Sequence, residues 1–377
     1  MKRREFGRVL AAATGGLMFS GFSAKASFGA GPDGKLAPEQ SLNAGDAGGL
    51  TDVEGLKVGH WTAKERPTGC TVVLFEKGAT AGVDVRGGAP GTRETDLLNP
   101  VNTVQQIFGL VLSGGSAFGL DTATGVMRYL DEKKIGYRVG PSTIPAGEII
   151  IVPIVPAAIL IDLSVGDWRI RPNAESGYQA CLAASAGRVA EGNVGAGAGA
   201  TVGKFFGSKF AMKSGLGTAS IRAGSSGIVV AAMAAVNAAG DVYEPQTAKI
   251  IAGARTDDGK DFRDTMAQIR NGYDVSPLRS PMNTTLGVVA TNAKLTKDQA
   301  TKIAQMAHDG LARAINPTHT PADGDTVFAV GTGASDARIE TGAIGALAAD
   351  VLARAIVRAV MHAEGIPGYP SVHDLGK

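Results

Sequence analysis

Short apolar runs rich in β-branched residues alternate with glycine-rich turns along the chain from Leu50 onward. Thr71–Phe75 (TVVLF), Ala81–Val85, Ile107–Leu112, Gly227–Asn237 (GIVVAAMAAVN), Thr284–Thr291 (TTLGVVAT) and Thr326–Val330 all have this form. Runs this short, bounded by turn formers, read as buried strands. Glycine supplies 53 of the 377 residues, about twice its usual ~7% share. It follows no Gly-X-Y period, so it signals tight turns and close backbone approach rather than a fibre.

Helical patterns lie between the strands. Leu120–Lys134 follows the glycine turn Ser113–Gly119, Ala174–Ala190 has helical length, and Gly345–His362 is Ala-rich. Thr296–Ala314 is amphipathic, with Ile303, Met306, Ala307, Leu311 and Ala314 on one face. Thr296 and Gln299 predict a capping box at its start. Gly147–Asp162 is almost continuously apolar and carries Pro153 and Pro156, which suggests buried sheet followed by an irregular crossing. There is no regular βαβ alternation and no internal repeat, so stacked sheets with outer helices, an α+β fold, are expected.

The 37 basic and 35 acidic residues nearly cancel, which excludes a polybasic nucleic-acid binder and an acidic solvating tail. Cys70 and Cys181 are too few for a disulfide framework or a four-cysteine zinc site, and both read as buried thiols. Residues 1–26 combine a basic start, an apolar stretch and Ala24-Lys25-Ala26, the pattern of an export signal; Arg3-Arg4 suggests the twin-arginine route. The competing reading is a cytosolic protein with a basic amphipathic helix. Residues 27–49 form a Gly/Pro/Ser-rich leader. A periplasmic protein with no membrane span after processing is expected.

Several motifs fail on inspection. Gly195–Lys204 (GAGAGATVGK) has Ala198 where a Walker loop needs Gly, and Phe205 where it needs Ser or Thr. Lys204 is the one charge in that run; it is either a solvated loop lysine or a fixed positive charge. Ser113–Gly119 departs from G-x-S-x-G at Phe118 and reads as a turn feeding a helix. The five histidines have no metal-binding spacing. Two features remain. Thr256–Pro281 is a long polar segment that runs almost directly into the strand beginning Thr284-Thr285, where a chain end would sit comfortably. Asp323 and Asp325 would bind a cation, do acid–base work, or simply form the turn before the next strand.

Taken in order, Leu50–His60 (LTDVEGLKVGH), Pro67–Leu74, Arg86–Asp96 (RGGAPGTRETD), Leu112–Asp121 (LSGGSAFGLD), Ala235–Val242 (AVNAAGDV), Asn283–Asn292 (NTTLGVVATN) and Asp323–Val330 (DGDTVFAV) resemble the family of L-aminopeptidase/D-esterases and β-peptidyl aminopeptidases, which includes the nylon-oligomer hydrolase. The resemblance implies a four-layer αββα sandwich like that of N-terminal-nucleophile hydrolases. It also implies self-cleavage into a large chain, 50–283, and a small chain, 284–377, that assemble as a homo-oligomer of cleaved pairs. Asn283–Thr284 would be the scissile bond and Thr284 the nucleophile. Lys204 would be the active-site lysine, Asn237 the oxyanion-stabilising asparagine, and Asp323 and Asp325 the acidic pair of the nylon-oligomer branch. Ile161 stands where that branch has a tyrosine.

An N-terminal threonine carries its own base: its α-amine has a pKa of about 7.7–8.0. Such a site needs neither a metal nor an organic cofactor. The expected function is hydrolysis of amide bonds in small peptides or amino-acid amides. The alternatives are an acyltransferase of the ornithine-acetyltransferase type, whose Ala-Thr-Met cleavage context is absent, and an unprocessed envelope binding protein.

Overall fold

In the strand Val229–Asn237 the residues Val230, Ala232, Ala234 and Val236 enter one apolar core. Val229, Ala231, Met233 and Ala235 enter another. Because side chains alternate along a strand, such a segment must lie between two covering layers. The computed structural model, which describes residues 48–139, 150–273 and 283–376, shows this arrangement throughout the sheet. Residues 1–47, where the sequence suggests an export signal and most of a leader, lie outside the described residues.

The main strands are β1 (Lys57–Thr62), β2 (Gly69–Val85), β3 (Thr92–Arg93), β4 (Ile107–Ser113), β5 (Ala157–Ile159), β6 (Leu216–Arg222), β7 (Val229–Asn237), β8 (Thr284–Ala293) and β9 (Thr326–Ser335). The covering helices are α1 (Thr122–Glu132), α2 (Ala174–Leu182), α3 (Lys297–Ala314) and α4 (Thr341–Met361). The strands run in the order β6-β7-β8-β9-β2-β4-β5-β3, with β1 also paired to β2. β2 belongs to both halves of this order. Its Gly69–Leu74 stretch pairs with β1 and β4, its Thr80–Val85 stretch pairs with β9, and the register breaks between Leu74 and Ala79.

Three apolar cores separate four layers. Cys70, Val72, Leu74 and Val111 pack beneath α1 and α2. Val73, Phe75, Leu110 and Leu112 meet Met233, Leu286, Val288 and Phe328 between the sheets. Val230, Val289 and Val327 pack beneath Ile303 and Leu311 of α3 and Leu352 and Ile356 of α4. The αββα sandwich expected from the sequence is therefore the fold. Glycine makes its layers fit closely: at Gly217 in β6 a Cβ would lie 2.2 Å from the Ala355 carbonyl oxygen of α4.

α3 begins as expected, with Gln299 Oε1 accepting the Thr296 N–H at 3.0 Å. The helix expected over Ala174–Ala190 stops at Leu182. Beyond it, Ser185 exchanges both main-chain hydrogen bonds with Val58 of β1 (2.9 and 3.0 Å), which takes its amide out of a helical path. The polar segment Thr256–Pro281 contains a short helix, Thr265–Arg270, and its residues 274–281 lie outside the described residues.

Candidate active site

Two central strands meet end to start. Asn237 closes β7, Thr284 opens β8, and the two are direct cross-strand partners. β8 and β9 are parallel neighbours, which requires a crossover, and α3 makes it. The turn entering β9 is thereby brought beside the start of β8, where Asn283 and Asp323 form a parallel bridge. The Gly324 N–H donates to the Asn283 carbonyl at 2.9 Å. The Thr284 hydroxyl donates to the same carbonyl oxygen. Both Asn283 and Thr284 are buried.

Only glycine fits between the two aspartates. A Cβ at position 324 would sit 2.7 Å from Thr284 Oγ1 and 2.9 Å from the Ala89 carbonyl oxygen. Gly324→Ala is expected to displace the Thr284 hydroxyl, since backbone on the other side cannot yield. A loss of about tenfold or more in any reaction of that hydroxyl should follow, given the sensitivity of catalysis to displacements of this order. Timed measurement of that reaction beside a thermal melt separates this effect from unfolding.

The flanking aspartates have different surroundings. Asp325 Oδ1 accepts the Thr285 N–H at 2.7 Å. Its Oδ2 accepts Thr318 Oγ1 at 2.9 Å, the His319 N–H at 3.0 Å and His319 Nδ1 at 2.8 Å. Burial pushes the Asp325 carboxyl up, but these donors outweigh it and hold the group below the usual carboxylate range. Asp323 is raised by its burial and by the charge of Asp325, although the Thr320 N–H donates to its Oδ2 at 2.7 Å. The pair thus divides into a fixed anion and a carboxyl able to exchange a proton near neutrality.

Lys204 is buried rather than solvated. Its Nζ donates to the Asn237 main-chain oxygen (2.9 Å) and to Asn237 Oδ1 (2.8 Å). Burial lowers the ammonium to about 7 against the opposing charges of Asp323, Asp162 and Asp325. Asn237 Oδ1 also accepts the Thr201 N–H at 3.1 Å, which leaves its Nδ2 to donate to the Ile161 carbonyl at 2.9 Å. Ile161 therefore contributes its main-chain oxygen to the site. The next residue anchors that oxygen: Asp162 accepts Arg66 Nη2 at 2.8 Å, Thr68 Oγ1 at 2.6 Å and the Gly115 N–H at 2.9 Å. The turn Ser113–Gly119 thus holds Asp162 through the Gly115 N–H.

Against this geometry, the sequence profile of peptidase family S58 matches residues 48–373. The chain belongs to peptidase family S58. This S58 chain is 42% identical over 351 residues to an uncharacterized aminopeptidase of Mycobacterium tuberculosis (strain H37Rv), covering 86% of this chain and 97% of the relative. It is 29% identical over 328 residues to a 6-aminohexanoate-oligomer endohydrolase of Agromyces sp. (strain KY5R), covering 82% and 84% respectively. Two solved structures share its fold. One is a Burkholderia sp. β-aminopeptidase, with a TM-score of 0.61, 22% identity and 88% and 93% coverage. The other is an L-aminopeptidase D-Ala-esterase/amidase of Ochrobactrum anthropi described as a variant of the Ntn hydrolase fold, with a TM-score of 0.62, 20% identity and 88% and 93% coverage. The chain is an enzyme of an aminopeptidase family, and the family read from its motifs is the family found.

All the candidate residues of this S58 site come together. Asn237 and Thr284 are strand partners, Lys204 binds Asn237, and Asp323 and Asp325 bracket the glycine that touches Thr284. The sequence reading missed His319, whose signal was its place six residues before Asp325, and it missed the buried Arg66–Asp162 pair.

Proposed function

We propose that this S58 chain is a self-processing aminopeptidase or amidohydrolase whose nucleophile is Thr284, freed by cleavage of the Asn283–Thr284 bond. One observation carries the reading: the Thr284 hydroxyl and the Gly324 N–H converge on the carbonyl oxygen of Asn283. In the precursor, Thr284 Oγ1 attacks the Asn283 carbonyl carbon. The developing oxyanion takes the Gly324 N–H, a preorganised donor of a kind typically worth about 3–4 kcal/mol. The C–N bond breaks, the Thr284 nitrogen takes up the proton that the hydroxyl gave up, and Asn283 is left as an ester on Oγ1. Water then hydrolyses the ester to an Asn283 carboxylate and a free Thr284 amine.

In turnover the α-amine accepts the hydroxyl proton as Oγ1 attacks a substrate amide carbonyl. Asn237 Nδ2 and the Lys204 ammonium stabilise the oxyanion, and the departing amine takes the proton. Water completes the cycle through the acyl ester. Asp325 fixes the start of β8 through the Thr285 N–H, and Asp323 exchanges protons beside it. Small peptides and amino-acid amides are the substrate class. The same reading assigns 50–283 to a large chain and 284–377 to a small one, exported without residues 1–26 and assembled as a homo-oligomer.

Intact-mass measurement and N-terminal sequencing of the purified protein test this. The expected result is two polypeptides, one beginning Thr284-Thr285-Leu286 and the other near Ser27. A single uncut polypeptide that hydrolyses no aminoacyl amide refutes it.

A further inference from the structure

His319 reaches Asp325 twice, through its main-chain N–H and through Nδ1, both on Oδ2. It does so from a left-handed backbone conformation, φ 57°, which folds the ring back over its own amide. An ionised carboxylate only accepts, so the hydrogen lies on Nδ1. The other ring nitrogen, Nε2, is buried and has no hydrogen-bond partner among the described residues. The ring stands edge-on to His308, with centroids 4.7 Å apart. His308 Nε2 in turn contacts the Asp84 carbonyl at 3.0 Å, and Asp84 is paired with Arg86 at 2.6 Å. The hydrogen-bonding capacity of the imidazole is therefore directed at Asp325.

We infer that His319 is a positioning residue of this site: its Nδ1–H locks the Asp325 carboxylate in the rotamer that receives the Thr285 N–H, and so sets where β8 begins and where Thr284 presents its hydroxyl. This rests on the function proposed above and adds a residue to it. Thr318 Oγ1 shares Oδ2 but swings about a single torsion, whereas the imidazole is held against His308. The lock has an electrical side as well. The charged and titratable groups facing the pair are Asp323 and Lys204 on the Asp325 side, and His308, Asp84 and Arg86 on the His319 side. With the Nδ1–H in place, the negative charge stays on Asp325 and Asp323 takes the proton. Without it, Asp325 competes for that proton, and a step that needs the Asp325 anion begins to fail at higher pH.

The test uses the full chain with His319→Ala and His319→Asn. Asparagine offers an N–H near the Nδ1 position and tolerates a positive φ. His319→Ala is expected to slow self-cleavage by about 10- to 100-fold, the effect of losing one hydrogen bond to a charged group. It should also move the acidic limb of the kcat/KM–pH profile of the processed enzyme to higher pH. His319→Asn should stay within roughly threefold of wild type, since it retains that bond. Equal losses in both variants with an unmoved limb would mean that the ring only fills space, and wild-type rates in His319→Ala would overturn the inference outright. An independent readout is the carboxyl titration of Asp325 in the uncut Thr284→Ala chain, followed by carbon-13 NMR and assigned with Asp325→Asn. Adding His319→Ala should raise its midpoint, and an unmoved midpoint refutes the role. That titration decides the matter even if the wild-type chain never cuts itself, which would refute the proposed function instead.

Discussion

Thr284→Ala should yield a single uncut polypeptide with no amidase activity above background. The hydroxyl is the attacking atom in both reactions of the proposed mechanism, and its neighbours cannot replace it. Asp323 and Asp325 are acceptors already engaged by main-chain N–H groups. Loss of a nucleophile that acts with its base as one unit costs on the order of 10⁶-fold in kcat. Alanine removes a hydroxyl whose one hydrogen bond among the described residues is to the adjacent main chain, so stability should change little. Thr284→Ser is the control: it keeps the attacking oxygen and should still cut itself. Mass spectrometry over a time course reports processing, and hydrolysis of a small aminoacyl amide reports turnover. An uncut Thr284→Ala chain that retains full activity would remove the N-terminal amine from the mechanism.

The second large effect lies one layer behind the nucleophile. Asp162→Ala is expected to cost about 3–5 kcal/mol of stability, the range for breaking a buried ion pair from one side. Both side chains of the Arg66–Asp162 pair are fully buried. Among the described residues, the substitution would leave the guanidinium with only the carbonyl oxygens of Asp162, Val165 and Ile170 as partners, and would leave the Thr68 hydroxyl and Gly115 N–H unmatched. It would also release the Ile161 carbonyl that orients Asn237, so processing should slow in the fraction that remains folded. Asp162→Asn keeps an acceptor for Gly115 and should lose less. Denaturant unfolding followed by two probes measures the first effect, and the rate of self-cleavage measures the second.

The layers were legible because they depend on local pattern. The continuous apolar runs of β7 and β8, buried on both faces, and the apolar stripe of α3 state which faces are covered, and covered faces dictate sandwiching. The candidate residues were recognisable by type and by resemblance, yet their partners were not. His319 was weighed only as a metal ligand, because its role depends on a backbone conformation and on His308, eleven residues away on α3. Lys204 was ambiguous between solvent and core because burial of a loop lysine is decided by Asn237, a strand end 33 residues distant. Asp162 closed an almost continuously apolar run with nothing nearby to mark it as paired, since Arg66 lies nearly a hundred residues earlier. The end of α2 was misplaced because a tertiary contact with β1 competes there with helical propensity.

The order β7-β8-β9-β2 has a mechanical consequence. A chain severed before Thr284 would consist of two polypeptides threaded through one another, with the small piece's β8 and β9 gripped on both edges by strands of the large one. The large piece would own only the core beneath α1 and α2, and the small piece none, since the other two cores draw on strands from both. Dissociation and unfolding would then be a single event. Recovery after denaturation would depend on protein concentration in the nicked form and not in the uncut one, so the backbone cut would convert a self-contained folding unit into one that is assembled once and does not readily re-form.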